Sequence, residues 1–269
     1  MCKLLGVGDN TIDTYIHSRM LYPGGNAVNV AVLAKRLGHE TAYIGWLGED
    51  ERGELLLSSL ESEGVDTSHC RIVKDQPTGY SRVRLVDGDR VFGESNDGAC
   101  HLLHLEEQDF EFIRSFDVVH TSVFSFIEPQ LLELKQASKL LSFDLSQNHE
   151  QAYLEVVLPH VDIAFLSVSD VDFDAQDALM RHLHGMGPQL IVATRGEHGS
   201  WVFDGKEVYH QGIIPVEAVD ALGAGDAFAA CFLVEYAEGT SIPLAMQKAA
   251  EFAAKNCTHH GAFGYGKPY

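Results

Sequence analysis

The sequence predicts an α/β protein whose mostly parallel sheet is covered by helices on both faces, with a small β appendage attached. Short apolar runs bounded by turn residues alternate with segments in which apolar residues recur at helical spacing. The alternation is interrupted once, where Asp87-Gly88-Asp89 stands between two β-type runs and indicates a hairpin. Strands that alternate with helices are typical of a buried parallel sheet, so the alternating segments define the main body.

The first quarter of the chain shows this alternation clearly. Leu4–Gly8 is apolar and predicts a buried strand. Asn26–Leu37 predicts a helix, because its apolar residues recur every three or four positions and Gly38 follows to end it. Thr41–Leu47 is predicted as a second strand and Gly53–Glu63 as a second helix.

The interruption then predicts the appendage. Gly79–Val86 and Arg90–Gly93 flank the hairpin turn, and their apolar and polar residues do not alternate cleanly, which indicates cover on both faces. We expect about residues 14–22 and 76–98 to form a small β lid on a single domain that spans residues 1–269.

The alternating pattern returns after the lid and continues to the end of the chain. The predicted strands are Asp117–Thr121, Leu140–Asp144, Ile163–Leu166 and Leu190–Thr194, with a hairpin of Gly199–Phe203 and Glu207–His210. The predicted helices are Pro129–Lys139, Asp174–His184, Gly225–Ala237 and Ile242–His259.

Composition limits the classes of partner. The 269 residues include 19 Lys and Arg against 39 Asp and Glu, so the formal net charge is −20. Such a surface repels phosphates, which argues against nucleic-acid and membrane partners. The five cysteines are scattered without CxxC spacing, as is typical of free thiols in a reducing compartment. We expect neither a signal peptide nor a membrane span, and therefore a cytoplasmic protein.

A small-residue turn is the strongest chemical signal. Gly223, Ala224 and Gly225 stand directly before a predicted helix, so their N–H groups would point outward at its positive end and form an anion hole. Asp226 would lie beside that hole, where a carboxylate can accept a proton from an attacking hydroxyl. The alternative from the residues alone is a glycine-rich turn with Asp226 as a helix N-cap.

This turn belongs to a wider resemblance. Asp220–Asp226 resembles the C-terminal signature of the PfkB, or ribokinase-like, family of carbohydrate kinases, and Gly24–Gly38 resembles its N-terminal signature. Gly45–Asp50 and Thr194–Gly199 are similar to further segments of the family in the same order. The resemblance covers essentially the whole chain. It implies a ribokinase-like three-layer α/β/α sandwich with a small β lid, in which ATP phosphorylates a sugar hydroxyl between the two.

The resemblance also assigns roles residue by residue. It implies that Asp226 is the catalytic base and that Gly223, Ala224 and Gly225 form the anion hole for the transferred phosphoryl group. The other implied residues are Asp9, Asp13, Gly24, Gly25 and Asn29 for the sugar and Thr194, Gly196, Gly199 and Asp220 for ATP. Mg²⁺ is expected with the nucleotide. The resemblance leaves open a monovalent cation, K⁺, near the Asp220 loop.

One motif departs from the family pattern. Many members carry Asn-x-x-Glu before the ATP loop, where it organises the water shell of Mg²⁺. Here Ser167 stands at the Asn position and Asp170 at the Glu position. Asp170 keeps a carboxylate on a side chain one methylene shorter, so we expect it to act on the metal through water.

The substrate is suggested by a closer resemblance within the family. Gly6–Asn10, Tyr22–Ala31 and Asp87–Gly93 are most similar to the bacterial fructoselysine 6-kinase branch, and Ser167-x-x-Asp170 fits it too. The implied reaction is phosphorylation of the 6-hydroxyl of a fructosyl amino acid. Such a substrate carries an ammonium group and a carboxylate.

Charged lid residues are candidates for both groups. Arg84 or Arg90 would hold the carboxylate, and Asp89, Glu94 or Asp97 the ammonium. The alternative for each of them is a solvated lid charge.

Two other functions stay open from the sequence: a fructokinase or ribokinase acting on an unmodified sugar, and a non-catalytic sugar- or nucleotide-binding protein of the same fold. An exposed lid sheet also favours a homodimer formed through the lid.

Overall fold

The computed structural model describes residues 1–86 and 89–269, and the side chains of residues 85–92 lie outside that description. The centre of the predicted turn at Asp87-Gly88-Asp89 is therefore outside the described residues. The strands are β1 Lys3–Val7, β2 Thr11–Tyr15, β3 Met20–Gly24, β4 Glu40–Ile44, β5 Trp46–Gly48, β6 Arg71–Val73, β7 Thr78–Val86, β8 Asp89–Gly98, β9 Val118–Ser122, β10 Leu141–Asp144, β11 Ile163–Ser167, β12 Leu190–Thr194, β13 Ser200–Phe203, β14 Val208–Gln211 and β15 Lys267–Pro268. The helices are α1 Asn26–Arg36, α2 Glu51–Glu63, α3 Glu107–Ile113, α4 Leu131–Ala137, α5 Gln151–Val157, α6 Phe173–His184, α7 Ala224–Ala237 and α8 Ile242–Asn256.

The main sheet confirms the predicted parallel architecture. Within the described residues it has eight strands in the order β14-β13-β12-β11-β10-β9-β1-β4. Neighbouring strands from β4 to β12 in that order are parallel, and β13 pairs antiparallel with β12 and β14. The carboxyl ends of β1, β9 and β10 therefore meet at one edge, which is where open α/β sheets bind ligands.

Helices cover both faces of this sheet, as predicted. Successive residues of β9 show the alternation, because Val118 packs into the layer of α1, α2, α7 and α8, whereas Val119 packs into the layer of α3, α4, α5 and α6. The result is the three-layer α/β/α sandwich that the resemblance implied. No helix among the described residues is both long and apolar enough to span a bilayer.

A second sheet forms the lid. In the described part of the chain its order is β15-β3-β2-β7-β8, built from residues 11–24, 78–98 and 267–268. The strands of the first two segments lie close to the predicted ranges. The short strand β15, which pairs with β3, was not predicted.

Some elements differ from the prediction. The single strand predicted over Thr41–Leu47 is wrong: the chain forms β4 and then β5, with Gly45 between them. A Cβ on Gly45 would lie 1.9 Å from the Tyr43 hydroxyl oxygen, so only glycine fits at this break. Helices α3 and α5 and strand β6 were also not predicted, because each is a short element. For α3 a local signal was present, since Glu106 and Asp109 form a capping box.

Candidate active site

The candidate site is a cavity of about 550 Å³ between the carboxyl edge of the main sheet and the lid. Residues from the end of β10 and the first turns of α1 and α7 line it on the sheet side, and residues of β2, β7 and β8 line it on the lid side. A pocket between two sheets shields a reacting group from water. The sequence-predicted residues that line it are Asp9, Asp13, Gly25, Asn29, Asp97 and Asp226.

Asp226 lies in the first turn of α7, and two amide side chains of α1 hold its carboxylate. Asn26 Nδ2 donates to Asp226 Oδ1 at 2.8 Å, and Asn29 Nδ2 donates to Asp226 Oδ2 at 2.6 Å. The two hydrogen bonds therefore fix the orientation of the carboxylate, and they join residues that lie 200 and 197 positions apart in the sequence. A half-buried carboxylate held in this way faces the cavity and is available to a bound hydroxyl.

The surroundings make this carboxyl group a stronger base than an ordinary aspartate. The pKa of Asp226 is raised to about 7, chiefly by burial and also by the negative charges of Asp144 and Asp9, and the hydrogen bonds from Asn29 and Asn26 partly oppose this increase. A general base acts best when its pKa lies near the working pH. The arrangement therefore suits proton acceptance at neutral pH.

The small-residue turn begins α7 as the sequence predicted. Gly223 is the N-cap at φ 75°, and a Cβ there would lie 2.6 Å from Ala262 Cβ, so both conformation and packing require glycine. The Ala224 N–H is used inside the turn, where it donates to Ala221 O at 3.2 Å. Within the described residues, the N–H groups of Gly225 and Asp226 make no backbone hydrogen bond. These two donors are free to meet an anion.

Asp220 holds the start of this turn in place. Its carboxylate accepts from Leu222 N at 2.9 Å and from Gly261 N at 3.0 Å. The Tyr15 hydroxyl of lid strand β2 donates to the same carboxylate at 2.8 Å. Buried Asp220 thus joins the lid, the turn and the C-terminal segment.

Asp9 contributes mainly by holding α1. Its carboxylate accepts from Asn26 N at 2.5 Å and Ala27 N at 3.2 Å, which caps the positive end of the helix. Gly25, at φ 112°, allows the close approach, because a Cβ there would lie 2.6 Å from Asn10 Cα. Asp9 therefore positions Asn26 and Asn29 toward Asp226.

Of the predicted sugar-binding residues, Asp13 and Gly24 belong to lid strands, whereas Gly25 and Asn29 belong to the start of α1 on the sheet side. Asp13 on β2 is buried and lines the cavity, and Gly24 leaves room for it, since a Cβ on Gly24 would lie 2.8 Å from Asp13 Oδ2. Asn29 Oδ1 is buried and has no hydrogen-bond partner among the described residues. An unpaired buried acceptor is costly unless a ligand supplies a donor, and a sugar hydroxyl would do so.

The predicted nucleotide residues lie at the same edge but outside this cavity. Thr194 ends β12 opposite Ser167 of β11, and Gly196 and Gly199 follow in the adjoining turn. Asp170 is exposed and lies three residues beyond Ser167, the last residue of β11. Across the described residues, no group of three or more His, Cys, Asp or Glu is arranged to hold a metal ion. A metal would therefore take most of its ligands from phosphates and water, as Mg²⁺ ordinarily does.

The two predicted arginine ligands have different outcomes. Arg84 is exposed and lines a second cavity with Arg52, Arg82 and Lys267, not the cavity that holds Asp226. The side chain of Arg90 lies outside the described residues.

Sequence reasoning missed three residues of the site. Asn26 contacts Asp226, Asp144 at the end of β10 lines the cavity, and His120 within β9 contacts Asn26. A signal for two of them was present, because His120 and Asp144 interrupt or end apolar strands at the carboxyl edge of a parallel sheet. Among the described lining residues the acids are Asp9, Asp13, Asp97, Asp144 and Asp226, and no Lys, Arg or His accompanies them.

Known proteins are similar to this chain in sequence. The pattern of the pfkB family carbohydrate kinases matches residues 8–264. The chain is 44% identical to the fructosamine kinase FrlD of Bacillus subtilis (strain 168), over 99% of this chain and 95% of that protein. It is 36% identical to the fructoselysine 6-kinase of Shigella flexneri, over 98% of this chain and all of that protein.

A solved structure shares the fold. The ribokinase of Arabidopsis thaliana complexed with ribose and ATP superimposes with a TM-score of 0.86 and 23% identity, covering 98% of this chain and 95% of that chain. The family pattern, the two relatives and the observed sandwich agree with one another. The chain therefore belongs to the PfkB family of carbohydrate kinases and is an ATP-dependent kinase.

Proposed function

We propose that this kinase transfers the terminal phosphoryl group of ATP to the 6-hydroxyl of a fructosyl amino acid such as fructoselysine. The observation that carries the proposal is the acidic cavity beside Asp226, whose described lining has five aspartates and no basic side chain. An unmodified sugar gains little from such a field, whereas the ammonium of a glycated amine is attracted to it. The names of the two relatives at 44% and 36% identity support the same substrate class.

The chemistry follows from the geometry around Asp226. Asn26 and Asn29 orient its carboxylate, which accepts the proton of the attacking hydroxyl as the new oxygen–phosphorus bond forms. The free N–H groups of Gly225 and Asp226, at the positive end of α7, stabilise negative charge on the transferred group. Asp13 and Asn29 Oδ1 accept hydrogen bonds from other sugar hydroxyls.

Mg²⁺ is proposed as the companion of ATP, and it neutralises charge on the phosphates. The exposed Asp170 is the carboxylate at the end of β11 that would hold its water shell. Binding of K⁺ near Asp220, a homodimer formed through the lid and a cytoplasmic location stay predictions.

A substrate panel tests the proposal directly. We expect kcat/KM for fructoselysine to exceed that for fructose and ribose by at least about tenfold, since the extra ammonium contact is made only by the glycated amine. Two-dimensional NMR of the product should place the phosphate on C6. Comparable values of kcat/KM for fructose and fructoselysine would instead support a fructokinase, and a preference for ribose would support a ribokinase.

A further inference from the structure

Asn26 occupies an unusual position between two carboxylates. Its side-chain nitrogen donates to Asp226 Oδ1 at 2.8 Å and to Asp144 Oδ2 at 2.9 Å. Both protons of one amide group are therefore used on acids from different elements, α7 and β10. The amide counteracts the repulsion between two negative groups that face the same cavity.

His120 fixes the orientation of that amide. His120 Nε2 contacts Asn26 Oδ1 at 2.8 Å, and His120 Nδ1 contacts Ser142 Oγ at 3.0 Å. Since the Asn26 nitrogen is the donor to the two acids, its oxygen must accept, so Nε2 carries the imidazole proton. Ser142 then donates to Nδ1. The hydrogen bonds run in one direction, from Ser142 through His120 and Asn26 to the two carboxylates.

His120 holds this position as a neutral ring. It is completely buried against Phe165, and burial lowers its pKa to about 3. It does not change protonation in the pH range in which a kinase is assayed. Its contribution is therefore geometric.

We propose that Asn26 and His120 are positioning residues for the transfer reaction. The side-chain nitrogen of Asn26 holds the carboxylates of Asp226 and Asp144 next to each other, and His120 holds the Asn26 amide in place. This inference rests on the proposed role of Asp226 as the base. Among the described residues, Asn26 lines the cavity and His120 does not. Asn26 acts on Asp226 directly, and His120 acts through Asn26.

Loss of Asn26 and loss of Asp144 are expected to have opposite effects on the pKa of Asp226. The groups that face Asp226 are Asp144 from β10, Asp9 after β1, and the amides of Asn26 and Asn29 from α1. Removal of a donor to the charged carboxylate makes protonation easier, and removal of a neighbouring negative charge makes it harder. Loss of Asn26 and loss of Asp144 should therefore shift the titration of Asp226 in opposite directions.

The pH dependence of kcat/KM measures this titration on the free enzyme. We expect Asn26→Ala to move the acidic limb to higher pH by about half a unit or more, and Asp144→Ala to move it to lower pH. Asn26→Ala should also lower kcat by roughly 10- to 100-fold, because the base loses its alignment. Shifts of the same sign for both variants, or an unshifted limb in both, would overturn the proposal.

His120 is tested by a pair of variants with a control. His120→Phe roughly keeps the side-chain volume but removes both hydrogen bonds, so the acidic limb of its kcat/KM profile should move as in Asn26→Ala. His120→Gln can donate to Asn26 Oδ1 and should restore most of the wild-type profile. Thr121→Val, at the next buried position of β9, should keep the wild-type profile. If His120→Gln were as impaired as His120→Phe at equal thermal stability, the positioning role of His120 would be rejected.

A measurement without turnover separates this inference from the proposed function. NMR of protein carrying ¹³C-carboxyl aspartate, with the Asp226 signal assigned by its loss in Asp226→Asn, gives the pKa directly. Opposite shifts in Asn26→Ala and Asp144→Ala are expected here too, and equal pKa values in all variants would contradict the network. Full activity of Asp226→Asn would instead contradict the proposed function.

Discussion

The acidic residues of the cavity have distinct tasks that their partners reveal. The Asp9 carboxylate accepts hydrogen bonds from backbone N–H groups of α1, and the carboxylates of Asp144 and Asp226 both accept from the side-chain amide of Asn26. Asp97 differs, because it is exposed on β8 at the lid side of the cavity. Of these acids it is the one best placed to meet a cationic extension of the sugar.

Exchange of Asp97 for asparagine tests that placement. We expect Asp97→Asn to raise KM for fructoselysine by roughly tenfold, the value of one lost charge-assisted contact, and to leave KM for fructose nearly unchanged. The matched control is Glu94→Gln, since Glu94 lies on the same strand but contacts Arg82 and Tyr80. Equal losses on both sugars would remove Asp97 from substrate recognition.

At the scale of elements, the lid and the anion-binding turn are physically joined. Tyr15 of β2 reaches Asp220, and Asp220 fixes the backbone that precedes α7. Tyr15 also packs edge-on against Tyr22 of β3, with ring centroids 5.0 Å apart. The lid therefore supports the turn from which the two free N–H groups arise.

Removal of one hydroxyl should weaken this link. Tyr15→Phe leaves the buried Asp220 carboxylate with one donor fewer, so we expect a loss of about 1–3 kcal/mol in the free energy of unfolding. KM for ATP should rise several-fold, because the turn becomes less well ordered. Urea unfolding and steady-state kinetics measure both effects. Tyr22→Phe is the control from the same cluster, and equal effects in the two variants would refute the link.

At the scale of the whole molecule, local signals in the sequence predicted the fold and the turn that begins α7. The α7 turn was predictable because Gly223–Asp226 are contiguous, and the parallel strands because each is a short apolar run. The hydrogen bonds of Asn26 with His120, Asp144 and Asp226 were not predictable, because they join residues 94, 118 and 200 positions apart. A lone histidine in an apolar strand has no local pattern that specifies its partner.

The prediction for Arg84 rested on its charge alone. Charge does not determine which cavity a lid residue faces, and Arg84 lines the second cavity.

Some of the acids counted in the net charge of −20 lie in the site, where their pKa values make stability depend on pH. Burial raises the pKa values of Asp9, Asp144 and Asp226. A raised pKa means that the folded protein binds more protons than the unfolded chain, so stability falls as the pH rises through the folded-state pKa, which for Asp226 is about 7.

Thermal unfolding should show this dependence. We expect the change in Tm from pH 5.5 to pH 8 to be more negative in the wild type than in Asp226→Asn, because the raised pKa of Asp226 lowers stability as the pH rises and asparagine does not titrate. His120, whose lowered pKa acts in the opposite direction below about pH 6.5, is common to both proteins. Acids with lowered pKa values, such as Asp117, act only at lower pH, as the sign of their shift requires. Asp174→Asn, an exposed aspartate in the first turn of α6, is the control and should keep the wild-type slope. Equal changes of Tm with pH in the wild type and in Asp226→Asn would contradict the assignment.

Asp226 is proposed to receive the proton of the hydroxyl that is phosphorylated. The most direct measurement is kcat of Asp226→Asn with fructoselysine and ATP, together with the Kd of the sugar from calorimetry. We expect kcat to fall by roughly 10²–10⁴ while the Kd changes by less than about threefold, because the lost interaction serves the transition state. Near-wild-type turnover by Asp226→Asn with the same Kd would contradict this role.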